Sequence, residues 1–146
     1  MPDTATVTSF EDAVADFFRA ARRARGRAAQ RAQAGTLSLA QFHLVEPLLD
    51  GPRTLGQLAE TVGVSAPTAS RMLEALGAQG LVDRARAEED RRSVRFSLSD
   101  AGRAAAAEKH EAVRAARRRM AAALSEEEQR VAAGILARLA RVIEEL

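Results

Sequence analysis

Two stretches with helical periodicity follow one another closely between Thr54 and Leu76. In each stretch the apolar residues recur at the spacing of one helix face, which predicts two short amphipathic helices. Gly63 stands between them, where a helix end often needs a left-handed backbone, and Ser65 follows as an N-cap. The pattern therefore predicts two helices joined by a tight turn, a helix-turn-helix.

Two runs of alternating apolar and polar residues come next, Leu81 to Arg86 and Ser93 to Leu98, with a charged segment between them. Such alternation is typical of strands, so we predict a two-stranded wing with a charged tip. The wing is rich in arginine, and a tip of this kind can reach the phosphates or the minor groove of DNA. The candidates for phosphate contacts are Arg84, Arg86 and Arg91.

The second helix of the helix-turn-helix presents small hydroxyl side chains and one arginine on its solvent side. These residue types suit base edges in the major groove, where arginine with guanine is the commonest specific contact. The candidate base-reading residues are Ser65, Pro67, Thr68, Ser70 and Arg71. Ser65 and Thr68 fit equally well a role that only caps the start of the helix.

Further helices are predicted on both sides of this unit. Hydroxyl residues followed three positions later by Glu or Gln mark helix starts at Thr8, Ser38 and Ser125, and Thr54 begins the helix-turn-helix in the same way. An alanine-rich helix is predicted from Ser99. The last helix carries a stripe of large apolar residues that exceeds what a small winged helix can cover. They are Val131, Ile135, Leu136, Leu139, Val142, Ile143 and Leu146. We therefore expect the first and last helices to pair with their copies in a second chain. The alternative is a monomer that folds both tails onto itself.

Three motifs resemble those of the MarR family of bacterial winged-helix transcriptional regulators. They are S-x-x-T-x-S-R-x-L-x-x-L-x-x-x-G-L-V-x-R from Ser65 to Arg84, D-R-R from Asp90 to Arg92, and L-S-x-x-G from Leu98 to Gly102. The resemblance implies that Arg92 inserts into the minor groove and that Asp90 holds its side chain. It also implies a homodimer that responds to a small aromatic or anionic effector.

The expected fold is mainly α with a small β wing, a winged helix-turn-helix core flanked by N- and C-terminal dimerisation helices. We expect residues 1–36 to form the N-terminal dimerisation helix and residues 37–99 the winged helix-turn-helix DNA-binding domain. Residues 100–146 are expected to form the C-terminal dimerisation helices, and the three parts to make one compact unit.

Composition removes several classes of function. The chain has no cysteine, which excludes disulfides, a thiolate nucleophile, zinc-thiolate sites and a cysteine-based peroxide switch. It shows no nucleophile with a base at a motif spacing and no glycine-rich phosphate loop, so we expect neither an enzyme nor a cofactor. No apolar run approaches the length of a bilayer span, and no hydrophobic signal core is present. A cytoplasmic protein without membrane contact is the expectation.

The charge is unevenly distributed. Twenty-two basic and 20 acidic residues leave a formal net charge of only +2 at pH 7. However, the segment from Arg19 to Arg31 contains six arginines and no acid. Such a segment is compatible with nucleic acid as a partner. The preference for arginine over lysine fits a GC-rich genome equally well.

An effector pocket is a further hypothesis from the resemblance. Small molecules bind such regulators near the second predicted helix. There His43 and an arginine of the first helix could receive an anionic ligand, in a pocket walled by Phe42, Phe17 and Phe18. The alternative is a partly exposed histidine without a ligand. A metal site is not expected, because His110 and His43 are the only histidines and cysteine is absent.

Taken together, the sequence predicts a DNA-binding transcriptional regulator, a repressor that binds a pseudo-palindromic operator as a homodimer and responds to a ligand. The rival from another class is a winged helix that serves as a protein-interaction module, with its arginines meeting an acidic partner protein.

Overall fold

The computed structural model describes residues 9–31, 35–86 and 93–145. Within these ranges it contains six α-helices and three short strands. The helices are α1 (Phe10–Arg31), α2 (Leu39–Val45), α3 (Leu55–Val62), α4 (Ala66–Ala78), α5 (Asp100–Ala122) and α6 (Glu126–Glu144). The strands are β1 (Arg53–Thr54), β2 (Val82–Arg86) and β3 (Val94–Leu98). The predicted fold class, a mainly helical winged helix-turn-helix with flanking helices, is confirmed.

Capping boxes begin three of these helices, as predicted. At α2, α3 and α6 the N-cap hydroxyl accepts the backbone N–H three residues on, and the side chain at that position accepts the N-cap N–H. These N-caps are Ser38, Thr54 and Ser125. Helix α1 begins one residue later than its predicted box, because Ser9 Oγ accepts from the N–H of Asp12 at 3.1 Å. Thr8 lies outside the described residues.

The second predicted helix is interrupted at Pro47. Helix α2 ends at Val45, and the chain continues as a 3-10 helix (Glu46–Leu49). Proline has no backbone N–H and its ring crowds the carbonyl four residues earlier, so an α-helix cannot continue unchanged through it. The apolar spacing predicts one helix from Ser38 to Leu49, bent at Pro47. The structure instead has a 3-10 helix in place of its last turn.

The turn of the helix-turn-helix has the predicted geometry. Gly63 ends α3 in the left-handed region, with φ 69° and ψ 33°, and its N–H donates to the carbonyls of Ala59 and Glu60. Ser65 caps α4, and Pro67 occupies its first turn, where a missing N–H costs no hydrogen bond. The two helices are thereby joined by a short turn of residues 63–65.

The wing is part of a three-stranded antiparallel sheet with the strand order β1-β3-β2. Strand β3 pairs with β2, with Val82 opposite Leu98 and Arg86 opposite Val94, and also with the two residues of β1. The pairing of β2 and β3 was predicted. Strand β1 was not, because two residues are too short to show an alternating pattern.

Among the residues that the structure describes, the buried apolar ones all belong to the segment from Leu37 to Ala106. The largest are Phe42, Leu44, Val45, Leu48, Leu58, Leu73 and Leu76. Helices α1 and α6, both fully described, contain no buried residue. The chain divides into two compact units, residues 1–106 and 107–146, with the boundary inside α5. The domain boundaries expected from the sequence remain a prediction.

Helix α5 is fixed to the base of the wing through Ser99. The N–H of Ser99 donates to the carbonyl of Leu81 at 3.1 Å, and its hydroxyl donates to the carbonyl of Gly80 at 2.6 Å. The same hydroxyl accepts the N–H of Gly102 at 3.0 Å, so Ser99 also caps the helix. The side chain of Ser99 thus connects Gly80, which follows α4, with the start of α5.

In the second unit, the turn between α5 and α6 is closed by Gln129. Its side-chain amide donates to the carbonyls of Ala121 at 3.0 Å and Leu124 at 3.1 Å, which satisfies acceptors at the end of α5. Across the described ranges, no helix combines the length and apolar character needed to cross a bilayer.

Candidate nucleic-acid interface

Helix α4 buries one face and exposes the other. Ala69, Leu73 and Leu76 are buried in the core of the first unit. On the opposite side Pro67 and Arg71 are exposed. The polar side of α4 is therefore available to a partner, as expected of a recognition helix.

The two hydroxyls at the start of α4 bond to each other. Ser65 Oγ accepts the N–H of Thr68 at 3.3 Å, and the two hydroxyl oxygens are 2.9 Å apart. The capping role considered for these residues is thus present in the structure. In either direction of the hydroxyl bond, one of the two hydroxyl protons stays free to donate and Thr68 Oγ1 keeps a lone pair that can accept from a DNA base or a water molecule.

Ser70 and Arg71, the other polar candidates on α4, differ in their surroundings. Ser70 is half-buried, and its hydroxyl donates to Glu74 Oε1 at 3.1 Å. Arg71 is exposed and forms no ion pair with any residue that the structure describes. Its guanidinium therefore keeps all five of its donors for a partner.

The register of the sheet divides the wing arginines between two faces. Arg84 lies opposite Phe96 and Arg86 opposite Val94, so both arginines share a face with the apolar residues of β3. Arg95 belongs to the other face. Arg84, Arg86 and Arg95 are all exposed. The predicted phosphate contacts at Arg84 and Arg86 would thus come from one side of the wing.

A groove of about 220 Å³ separates α4 from this face of the wing. Its floor is apolar and includes Leu73, Val82 and Phe96, whereas Ser70, Glu74 and Arg84 supply polar groups. Glu74 lies on the solvent side of α4, and no functional role was predicted for it. The signal that could have found it is its acidic charge, which is unusual on a surface that faces DNA.

Three of the predicted site residues, Asp90, Arg91 and Arg92, lie outside the described residues. The minor-groove role implied for Arg92 and the holding role of Asp90 stay predictions. So does the phosphate contact of Arg91.

The predicted effector residues form two pairs, each within one helix. The rings of Phe17 and Phe18 meet edge to face at 6.0 Å, and both side chains are exposed. Phe42 is only 2% exposed, and its ring centroid is 5.7 Å from that of the half-exposed His43. The imidazole Nδ1 lies 3.8 Å from Glu46 Oε2. A pocket walled by both pairs remains a prediction.

Three carboxyl groups on the flanking helices have a lowered pKa. A hydrogen bond from Arg19 lowers the pKa of Asp16, and one from Arg118 lowers the pKa of Glu111. Hydrogen bonds from the backbone and side chain of Ser125 lower the pKa of Glu128. The described part of the chain contains no cluster of three or more His, Asp or Glu side chains that could hold a metal ion.

The comparison with known proteins decides the family. A sequence model of the MarR family matches residues 36–93, the segment that carries α2, the helix-turn-helix and strand β2 of the wing. A solved structure of a probable transcriptional regulator from Pseudomonas aeruginosa shares 30% sequence identity and has a TM-score of 0.70. The similarity covers 90% of this chain and 99% of that one. The chain belongs to the MarR family.

Two further structures of similar fold contain DNA. The transcriptional repressor CouR, bound to a 23-mer duplex, shares 29% identity with a TM-score of 0.71, over 90% of this chain and 92% of that one. FabT from Streptococcus pneumoniae, in complex with DNA, shares 22% identity with a TM-score of 0.80, over 92% and 95%. At that identity FabT supports the fold alone. No functionally curated protein matches the sequence.

As a MarR-family protein, the chain is a DNA-binding transcriptional regulator, and the predictions of family and function are confirmed. Homodimers and responses to small ligands are typical of this family. It is a family of regulators rather than of enzymes.

Proposed function

We propose that this MarR-family protein is a homodimeric repressor that binds a pseudo-palindromic operator and releases it when a small ligand binds. The observation that carries the proposal is the arrangement of the first unit. The polar face of α4 is free of contacts with the core and stands beside an arginine-bearing wing. A recognition helix and a wing of this kind can contact the major groove and the backbone together.

The base-reading side chains in this proposal lie along the exposed side of α4. Arg71 donates to guanine O6 and N7 in the major groove, since its guanidinium is exposed and unpaired among the described residues. Pro67 and Ser70 approach the same groove, and the N-cap pair Ser65 and Thr68 approaches the bases or a phosphate at the helix N-terminus.

The wing supplies the contacts that carry no sequence information. Arg84 and Arg86, on one face of the sheet, neutralise phosphates, and Arg91 adds a third contact near the tip. Arg92 enters the minor groove with Asp90 holding its guanidinium. Insertion of arginine there is favourable because the negative potential of a narrow minor groove attracts cations.

A second copy of the chain completes the operator-binding unit. Large apolar side chains on α1, α5 and α6 are exposed, among them Phe10 at 63% and Leu136 at 60%. An exposed apolar surface of this kind marks an interaction site in a protein that stays in solution. Pairing of these helices sets two recognition helices roughly 34 Å apart, the distance of one turn of DNA.

The ligand in this proposal is a small aromatic or anionic compound. Phe17 and Phe18 offer exposed ring surface, and the half-exposed His43 offers a hydrogen-bond donor beside the buried Phe42. A panel of aromatic carboxylates tests this role by thermal denaturation. At a ligand concentration 100-fold above Kd, binding adds about 2.7 kcal/mol to the free energy of unfolding. Stabilisation that is lost in His43→Ala supports the pocket, and an unshifted Tm across the panel contradicts it.

The experiment that tests the function as a whole is a fluorescence-anisotropy titration. The purified protein is titrated against the DNA upstream of its own gene and against a random duplex of equal length, at several salt concentrations. The proposal predicts tighter binding to the upstream DNA, two chains per site and a steep salt dependence. Equal weak binding to both duplexes would count against this operator, and capture of an acidic protein would then favour the interaction-module reading.

A further inference from the structure

Glu74 is the single acidic residue of the recognition helix. It is exposed, and it follows Ser70 by four residues and Arg71 by three, so the three side chains are neighbours on one side of α4. A carboxylate in this position is unfavourable beside DNA phosphates. It becomes favourable only where a base offers it a hydrogen-bond donor.

The hydrogen bond from Ser70 determines what this pair can offer a base. An ionised carboxylate only accepts, so the single hydroxyl proton of Ser70 is the one that forms the 3.1 Å bond to Glu74 Oε1. The bond holds the carboxylate and uses the only donor of Ser70. Together the two side chains therefore present acceptors alone, next to Arg71, which presents donors alone.

We propose that Glu74, oriented by Ser70, is a specificity-determining residue that accepts a hydrogen bond from the N4 amino group of a cytosine in each operator half-site. The inference deepens the proposed function and rests on it. In the major groove the cytosine amino group is a donor that Glu and Asp read, whereas guanine offers acceptors there and repels a carboxylate. Arg71, one turn away on the same side, reads a neighbouring guanine.

Within the part of the chain that the structure describes, the two arginines nearest to Glu74 in sequence or across the groove do not pair with it. Neither Arg71 nor Arg84 forms an ion pair with it, although Arg84 lies across the same groove. Ser70 is the hydrogen-bond partner of the Glu74 side chain in the described ranges. The carboxylate therefore retains free lone pairs at the surface of the recognition helix.

The test is selection of binding sites from a randomised duplex pool, with the motif of the wild-type protein determined first. The same selection is then made with Glu74→Gln and with Glu60→Gln, which removes an equal charge from the exposed surface of α3. The wild-type motif should contain one position per half-site with a strong preference for cytosine. In Glu74→Gln that preference should fall by about tenfold and move toward adenine, because Gln reads adenine N6 and N7. Every other position should be unchanged.

Ser70 acts as a positioning residue in this proposal. Ser70→Ala should weaken the cytosine preference at the same position without a uniform loss of affinity, and Ser70→Thr, which keeps a hydroxyl, should restore it. Glu60→Gln should leave the motif as it is.

Two results would overturn the assignment. A motif that is identical in Glu74→Gln, with affinity raised uniformly as in Glu60→Gln, would show that Glu74 contributes only its charge. A wild-type protein that enriches no motif would refute sequence-specific DNA binding and this assignment together, and the first round of selection separates the two cases.

Discussion

Gly102 lies so close to Leu81 that a Cβ added to the glycine would come 1.9 Å from the Leu81 carbonyl oxygen. The contact joins the start of α5 to the base of the wing, where Ser99 donates its N–H to the same carbonyl. Only glycine allows this approach without a backbone shift. The close packing of the first turn of α5 against Leu81 thus depends on the absence of a side chain at position 102.

Replacement of this glycine tests the contact. Gly102→Ala should lower the free energy of unfolding by about 3 kcal/mol, because the clash is with backbone atoms that cannot move aside alone. A chain of this size should then lose about 6 to 12 °C in Tm. Gly26→Ala is the matched control, since a Cβ there meets nothing within 4 Å and lies in the exposed α1. That change should be neutral or slightly stabilising. Equal effects of the two substitutions, measured by thermal denaturation, would contradict the contact.

The left-handed backbone of Gly63 gives a second prediction. Gly63→Ala should cost about 1 to 2 kcal/mol, because a Cβ disfavours this conformation even though open space surrounds it. Gly63→Asn should cost less, since asparagine tolerates the left-handed region. Gly56→Ala, in the neighbouring helix α3, should not destabilise. Urea denaturation of the three variants gives the order, and a Gly63→Asn variant less stable than Gly63→Ala would refute the account of the turn.

The apolar stripe of α6 gives a prediction about assembly. Ile135→Asp should convert a dimer into a monomer at micromolar concentration, since a charge buried in an apolar interface weakens association by about tenfold or more. Ala137→Asp is the control, because it places the same charge on the opposite side of the helix. Analytical ultracentrifugation measures the mass. Identical masses for the two variants would argue against a dimer interface on this stripe.

The implied role of the wing tip is tested at Arg92 and Asp90. Arg92→Ala should weaken operator binding by roughly 1 to 3 kcal/mol and leave the dimer intact. It should also reduce the slope of log affinity against log salt concentration by about one. The variant Asp90→Ala shows whether Asp90 holds the side chain of Arg92 or only repels the DNA phosphates. Removal of an acid near phosphates ordinarily strengthens binding, whereas loss of the residue that holds Arg92 should weaken it. Tighter binding by Asp90→Ala in an anisotropy titration would contradict the holding role.

Local features of the fold could be predicted from the sequence because their signals lie within a few residues. The left-handed Gly63 and the N-cap of Ser65 are of this kind, and the structure has both. The pairing of Arg53 with Phe96 joins residues far apart in sequence, and two residues give no periodicity. The close approach of Gly102 to Leu81 is equally a tertiary contact, although the motif contains the glycine.

In the candidate site, too, the features with a local signal could be predicted and those that depend on packing could not. The exposed face of α4, with Arg71 on it, follows from helical periodicity. The bond from Ser70 to Glu74 has a spacing that a helix allows, but only the side-chain rotamers decide whether it forms. Phe42 was expected in the wall of a pocket, and its near-complete burial depends on packing that composition does not specify.

Base recognition by α4 is tested by the ratio of the affinities of Arg71→Lys for the operator and for a random duplex. Lysine keeps the positive charge but loses the planar fork that bonds guanine O6 and N7 together. Binding to random duplex should be unchanged, while the preference for the operator should fall by about tenfold. An Arg71→Lys variant that keeps the full wild-type preference would show that Arg71 contributes charge alone, and would contradict base recognition by this residue.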